Sequence, residues 1–225
     1  HHRGSRARAL MADVLDPVAI VGGTGHLGLG LARRLHRAGV RVVIGSRDAA
    51  RAESAAETAG LGAAAGRNNI DAVREAAVIV IAVPYEGHEA TLRLLAPHLT
   101  KKPVLETTVP YDKATRSAHQ PEGLSAAERA QQLAPEARVV AAFHTVSSAM
   151  LADPDRPPHG DVLFCGDDSG AKETAEALIR ALGMRPLDAG PLSSARVLEQ
   201  LGVLLMRLNR RYKRKDLGIT IAGLE

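Results

Sequence analysis

The apolar positions of the chain fall into two patterns. Short continuous runs rich in valine and isoleucine alternate with longer stretches where apolar residues recur every three or four positions. The runs "PVAIVG" (17–22), "VRVVIG" (40–45), "VIVIAVP" (78–84), "KPVLETT" (102–108) and "RVVAAF" (138–143) predict strands. Their apolar character is unbroken rather than alternating, so both faces are expected to be buried, as in a parallel sheet covered by helices. Between them lie helical stretches. One runs from about Leu27 to Ala38, with Leu27, Leu31 and Leu35 on one face and Gly39 ending it. Others are expected over 49–59, over 70–77, around Leu92, Leu94 and Leu95, and over 124–134. The glycine-rich link after residue 59 leaves room for only a short third strand. Strand and helix alternate throughout, so the fold class is α/β, a Rossmann-type doubly wound parallel sheet over residues 11–143.

The last third changes character. "DVLFCG" (161–166) predicts a strand, 169–182 a helix and "MRPLDAG" (184–190) a short strand. A long amphipathic helix follows over about 193–211, its apolar stripe made by Val197, Leu198, Leu201, Leu204, Leu205 and Leu208. Residues 144–225 therefore read as a smaller C-terminal α/β lobe packed on the first domain. So small a lobe would hardly cover the whole stripe, so part of it is expected at a dimer surface.

Composition narrows the function classes. Apolar residues make up 45% of the 225, but aromatics only 2% and tryptophan is absent, so the core must be built of Ala, Val, Leu and Ile. The formal charge of +4 is inflated by "HHRGSRARAL" (1–10), which reads as a tag and linker remnant; without its three arginines the balance is +1. Nothing in that balance points to nucleic acid or a membrane surface. The basic run "RLNRRYKRK" (207–215) reads as a solvated helix end, its cations near the negative pole of the dipole. Cys165 is the single cysteine, so no disulfide forms within the chain, which suits a reducing compartment. The longest apolar run, 76–84, is half the length of a membrane span. After Met11, Asp13 and Asp16 interrupt any signal-like segment, and the expected location is the cytoplasm.

The first strand runs into "VGGTGHLGLG" (21–30), which holds Gly23-x-Gly25-x-x-Gly28. After a strand and at the head of a helix, this spacing serves a dinucleotide. The glycines permit a tight turn, let backbone approach a pyrophosphate, and let helix and strand pack closely. The helix N-terminus offers unpaired N–H groups to the phosphates. At the end of the second strand an acid is expected if the ligand is NAD, to hold the ribose hydroxyls. Here stand Ser46 and Arg47, with Arg51 one helical turn on. A guanidinium matches phosphate with parallel bonds, so these residues predict NADP(H), its 2′-phosphate held by Ser46, Arg47 and Arg51.

These segments resemble the coenzyme F420-dependent NADP oxidoreductases. The likeness is carried by "IVGGTGHLGLGLARRL", "IGSRDAARAE", "NIDAVREAAVIVIAVPYE", "GLSAAERAQQL", "VVAAFHTVSSAMLAD", "DVLFCGDDSGAKE" and "GMRPLDAGPLSSARVLEQL". It spans nearly everything from the first strand to the C-terminus. It implies hydride transfer between C4 of the nicotinamide and C5 of a deazaflavin, with coenzyme F420 as co-substrate, and a homodimer. It further implies that Thr24, Gly25, His26 and Leu27 line the pyrophosphate, and that Val83, Pro84 and Tyr85 flank the ribose and nicotinamide. His144 and Ser148 would border the space between the two rings, and the smaller lobe would complete the deazaflavin site, with Gln200 near it. His26, Ser147, Ser148, Gln200 and Gly202 depart from residues common in the family.

Hydride transfer needs no protein nucleophile and no metal; the protein must stack the rings and exclude water. No Ser-His-Asp spacing and no Cys/His metal pattern occurs, so no catalytic residue and no metal ligand is expected, only ring positioning by His144, just past the carboxyl end of a strand. Asp167 and Asp168 read as helix caps, Cys165 as a buried strand residue, and Ser125 with Glu128 as a capping box. Two other functions remain open on the same scaffold. One is an NADPH-dependent reductase of an imine or a 3-hydroxy acid; the other is a non-catalytic NADPH-binding regulator. The early charges of the last helix, Arg196 and Glu199, offer no convincing proton donor for the former.

Overall fold

The computed structural model describes residues 15–112 and 114–224; the remnant expected at 1–10 lies outside them. Ten strands are defined among the described residues. Eight form one sheet, in the order β10-β9-β8-β5-β4-β1-β2-β3. Its strands are β1 (Val18–Val21), β2 (Val42–Ser46), β3 (Gly66–Asn68), β4 (Val78–Ile81), β5 (Pro103–Glu106), β8 (Arg138–Ala142), β9 (Asp161–Gly166) and β10 (Arg185–Asp188). β6 (Tyr111–Asp112) and β7 (Ser117–Ala118) make a small hairpin beside it. The helices are α1 (His26–Arg37), α2 (Ala49–Thr58), α3 (Asn69–Glu75), α4 (Tyr85–Leu95), α5 (Ala126–Leu133), α6 (Ser148–Leu151), α7 (Ser169–Ala181) and α8 (Ala195–Arg211).

β1 pairs in parallel with both β2 and β4, Val18 standing level with Val42 and Val78. The chain leaves β1 in one direction and later returns to its other side. The crevice at the carboxyl ends of β1, β2 and β4 is therefore the switch point where open α/β sheets bind ligands. Alternate residues of one strand serve two cores. Val18 and Ile20 pack with Leu31 and Leu35 of α1 and Leu178 of α7. Ala19 and Val21 pack with Ala72 of α3, Leu92 of α4 and Leu198 of α8. Burial on both faces is what the unbroken apolar runs encode, each large side chain contributing roughly 1.5–3 kcal/mol.

Three features differ from the sequence reading. The two strands of the C-terminal third continue the first sheet instead of forming a sheet of their own. Their junction is antiparallel, Ala141 of β8 facing Cys165 of β9, because the connection after β8 returns through the short α6 rather than through a long crossover helix. The 111–118 hairpin gave no signal in the apolar pattern. The strands at 78–84 and 102–108 end earlier than expected, at Ile81 and Glu106, and the residues after them form the rim of the crevice.

The capping roles read for Asp168 and for Ser125 with Glu128 hold; the one read for Asp167 does not. The Asp168 side chain accepts from the Ala171 N–H at 2.8 Å, and Ser125 with Glu128 forms a reciprocal capping box. Asp167 instead accepts from the Leu192 N–H at 2.9 Å, tying the loop after β9 to the approach to α8. Cys165 is fully buried, and that burial pushes its thiol up to about 12.

Candidate functional site

The turn after β1 is shaped by what glycine lacks. A Cβ on Gly28 would stand 2.6 Å from the Gly23 Cα, so only glycine lets α1 seat directly against the end of β1. α1 then begins at His26 with no side chain capping it and no acidic residue in its first turn. Its leading N–H groups and partial positive charge face the crevice unopposed.

Around this N-terminus lies a cavity of about 850 Å³. Thr24, Gly25, His26 and Leu27 line one end, and Ser46, Arg47 and Arg51 line the edge beside β2. Ser46 is buried at the strand end, while Arg47 and Arg51 are exposed. Neither arginine forms an ion pair among the described residues, so both guanidinium groups are free to meet an anion. Val83, Pro84 and Tyr85 form the opposite wall, at the entry to α4. Burial, then the charges of Glu199 and Glu89, hold the Tyr85 hydroxyl above its ordinary range.

A second cavity of about 540 Å³ opens beside the first. His144, Ser148, Gly202 and Met206 are among its lining residues, and Arg210 and Lys215 stand in its wall. Leu27, Thr107 and Val109 line both cavities, so the two spaces meet there. His144 follows Phe143, which is buried and held at φ 69°, a left-handed conformation costly for a bulky residue. That turn brings the imidazole to the wall of the second cavity. Both its ring nitrogens are buried without a hydrogen-bond partner. Burial pushes the group down to about 4, the Glu106 charge and the Thr108 backbone opposing without reversing it. At pH 7 it is a neutral imidazole, one nitrogen able to donate and the other to accept, which fits a ligand carrying polar atoms on a flat ring.

The second cavity is walled by close contact. A Cβ on Gly202 would lie 2.5 Å from the His144 carbonyl oxygen, so α8 can reach this loop only with glycine there. Ser147, the residue before α6, caps the Ala149 N–H and donates to the Lys215 carbonyl, joining the wall to the C-terminal segment. The buried Arg34 of α1 donates to the carbonyls of Met150, Leu151 and Arg156 at 3.0, 3.2 and 2.9 Å, fixing the chain beyond Ser148.

Of the residues expected at the dinucleotide, Thr24, Gly25, His26, Leu27, Ser46, Arg47, Arg51, Val83, Pro84 and Tyr85 line the first cavity. Ser148 lines the second, with His144. Gly23 is buried in the turn beneath, and Gln200 lines neither cavity; it is exposed and donates to Gln120 Oε1 at 3.0 Å. Glu199, dismissed as a proton donor from sequence, is fully buried, and that burial pushes its carboxyl up to about 8. It faces Gln120 and the first N–H groups of α5 rather than either cavity.

The sequence reading missed four kinds of residue. Thr107, Thr108 and Val109 follow β5 at the carboxyl edge of the sheet, a position that could have signalled them. Asn69 lines the first cavity with its Oδ1 buried and unpartnered. Arg210 and Lys215 belong to the basic run taken for a solvated helix end. The buried pair His88–Glu106, 2.8 Å apart, joins residues 18 positions apart and left no local pattern.

The chain is similar to known proteins in sequence and in fold. The family described as "NADP oxidoreductase coenzyme F420-dependent" matches residues 17–110. An F420-dependent NADP reductase of Methanocaldococcus jannaschii is 39% identical over 222 residues, covering 92% of this chain and 99% of that protein. One from Methanothermobacter thermautotrophicus is 38% identical, covering 92% and 95%. In fold, the chain superposes with a TM-score of 0.80 on a crystal structure from Arthrobacter sp. FB24, provisionally described as an F420-dependent NADP reductase. That match covers 91% of this chain and 98% of the other at 24% identity, and it speaks for the fold alone.

Proposed function

The chain belongs to the coenzyme F420-dependent NADP oxidoreductase family, and from that premise we propose that it passes a hydride between NADP(H) and coenzyme F420. The observation that carries the reading is the meeting of two cavities at Leu27, Thr107 and Val109. One is furnished for a dinucleotide with a 2′-phosphate, the other for a flat polar ring.

Bound together, the two coenzymes supply the redox chemistry themselves, between C4 of the nicotinamide and C5 of the deazaflavin. The chain binds, orients and excludes water. The uncapped start of α1, with Thr24, Gly25, His26 and Leu27, holds the pyrophosphate. Ser46, Arg47 and Arg51 hold the 2′-phosphate. Val83, Pro84 and Tyr85 place the nicotinamide end against the junction. Neutral His144, with Ser148, presents polar atoms to the deazaflavin edge. Residues 11–143 supply the NADP half and residues 144–225 complete the deazaflavin half.

A reductase of imines or hydroxy acids needs a proton donor beside the ring. The early charges of α8 do not serve: Arg196 bonds Glu128 at 2.6 and 2.8 Å, and Glu199 turns to Gln120. The protein acts as a homodimer in this reading. Val197, Leu204 and Met206 on α8 are exposed by 60, 46 and 46%, an apolar face that a second copy would cover. Among the described residues no helix is long and apolar enough to cross a membrane. The cytoplasm is the proposed location, where the lone buried thiol is at no risk of mispairing.

The test is direct. Protein, NADPH and oxidised F420 are mixed and the deazaflavin absorbance is followed. Its loss in proportion to enzyme supports the proposal. Tight NADPH binding with no turnover of F420 would leave the chain a binder or a reductase of something else.

A further inference from the structure

The junction of the two cavities is made by Leu27 and one short segment, Thr107–Val109, and what holds that segment is unusual. Immediately before it, at the end of β5, sits Glu106, fully buried. One carboxylate oxygen accepts the Thr108 N–H at 2.8 Å; the other meets His88 Nε2 at 2.8 Å. His88 is itself buried and lies on the first turn of α4, just after Tyr85, whose ring stacks against it at 6.2 Å. The pair thus spans from the Pro84–Tyr85 wall of the NADP cavity to the segment shared with the deazaflavin cavity. Two further bonds complete the clamp: Thr107 Oγ1 donates to the Ile81 carbonyl at 2.8 Å, and Thr108 Oγ1 to the Val83 carbonyl at 3.3 Å.

We infer that His88 and Glu106 form a positioning pair for hydride transfer, a buried strut that fixes the Thr107–Val109 segment against the nicotinamide wall and so sets how the two rings meet. The inference rests on the functional reading above. A charged pair is an expensive way to fill a core, since replacing one with apolar side chains of like volume is often neutral or stabilising. Here the carboxylate does what an apolar side chain cannot: it binds a backbone N–H in the wall of the site. Each partner favours the ionised form of the other. Burial disfavours charge on His88, but Glu106, with Glu199 of α8 and Glu89 of α4 beyond, holds the imidazole above its ordinary range. Burial likewise raises Glu106, while His88 and Thr108 bring it below the ordinary carboxylate range. Neither residue reaches a reacting atom in this reading; both act through the segment they hold.

The test compares Glu106→Gln, Glu106→Ala and the double variant His88→Phe/Glu106→Leu. Each is assayed for kcat, for KM of both coenzymes, and for the primary isotope effect with 4-deuterated NADPH. Gln keeps an acceptor for the Thr108 N–H and an amide for a neutral His88, so Glu106→Gln is expected to stay within about threefold of wild-type kcat. Glu106→Ala removes the acceptor. Its kcat is expected to fall on the order of 100-fold, the cost of roughly 1 Å of misplacement. KM for NADPH should hold, because the Arg47 and Arg51 grip is remote, and the isotope effect should rise as hydride transfer becomes rate-limiting. A merely misfolded fraction lowers kcat without moving the isotope effect. Should Glu106→Ala fail to fold, the double variant fills the same volume with no unpaired charge and is expected to show the same loss and the same rise. A folded variant without the acceptor, but with wild-type kcat and isotope effect, would overturn the inference. So would Glu106→Gln falling as far as Glu106→Ala. An inactive wild-type protein would instead strike the functional reading itself.

Discussion

Replacing Arg47 and Arg51 should convert an NADPH-selective site into an indifferent one. Both side chains are exposed at the edge of the first cavity and have no partner among the described residues, so their removal leaves no buried group unsatisfied and the fold should not notice. A charge-assisted hydrogen bond contributes roughly 1.5–3 kcal/mol, and exposure argues for the lower figure. With 1.4 kcal/mol to a decade, each Arg→Ala should weaken NADPH about tenfold and the pair about 100-fold. NADH lacks the 2′-phosphate, so its affinity should change by less than about threefold. Arg47→Asp should go further, because a carboxylate repels the phosphate. The assay is titration of coenzyme fluorescence at fixed ionic strength, repeated at high salt. The wild-type preference for NADPH should shrink as salt screens the exposed guanidinium groups. Equal losses for NADPH and NADH, or a wild-type preference for NADH, would refute the assignment.

Other outcomes follow from the second cavity and the buried acids. His144→Ala should raise KM for F420 and lower kcat with NADPH affinity intact; unchanged deazaflavin kinetics would end that role. Gly202→Ala sets a Cβ into the His144 carbonyl at 2.5 Å, so it should lower thermal stability by about 2–10 °C, from an overpacking cost of roughly 1–3 kcal/mol. F420 turnover should suffer more than NADPH binding. Glu199, raised in the fold to about 8 from 4.5, contributes stability that is complete below pH 4.5 and is lost as pH rises through 8, by at most about 1.4 kcal/mol per pH unit. Glu199→Gln should therefore gain on the wild type in thermal melts at pH 8; a parallel loss at every pH would contradict the burial assigned to it. His144 runs the other way. Lowered to about 4, it contributes stability present above 6.5 and lost as pH falls toward 4.

Much of this architecture was readable because it depends on local pattern. Unbroken Val and Ile runs encode strands buried on both faces, and the glycine spacing at 23–28 encodes a helix seated directly against the end of β1. The place of Ser46 and Arg47 at the cavity edge was legible because they close the second strand at the carboxyl edge of the sheet. The place of His144 at the second cavity was legible from its position just past a strand end. Nothing local distinguishes a crossover that returns parallel from one that returns antiparallel, so β9 joining the first sheet against β8 could not be foreseen. Nor does spacing reveal partners such as His88 and Glu106, brought together only when β4 and β5 pair. Gly202 appeared in sequence as a departure from the family, and its reason, a carbonyl 2.5 Å from where a Cβ would stand, exists only in three dimensions.

Direct transfer requires the two coenzymes to lie ring to ring in one water-poor junction. Transfer of label tests it most directly. NADPH carrying deuterium at the transferred position of C4 is reacted with oxidised F420 in ordinary water, and the product is examined by mass spectrometry and NMR. One deuterium is expected on C5 of the reduced deazaflavin, with none lost to solvent. Label washed into water, or no turnover while NADPH is bound, would contradict it.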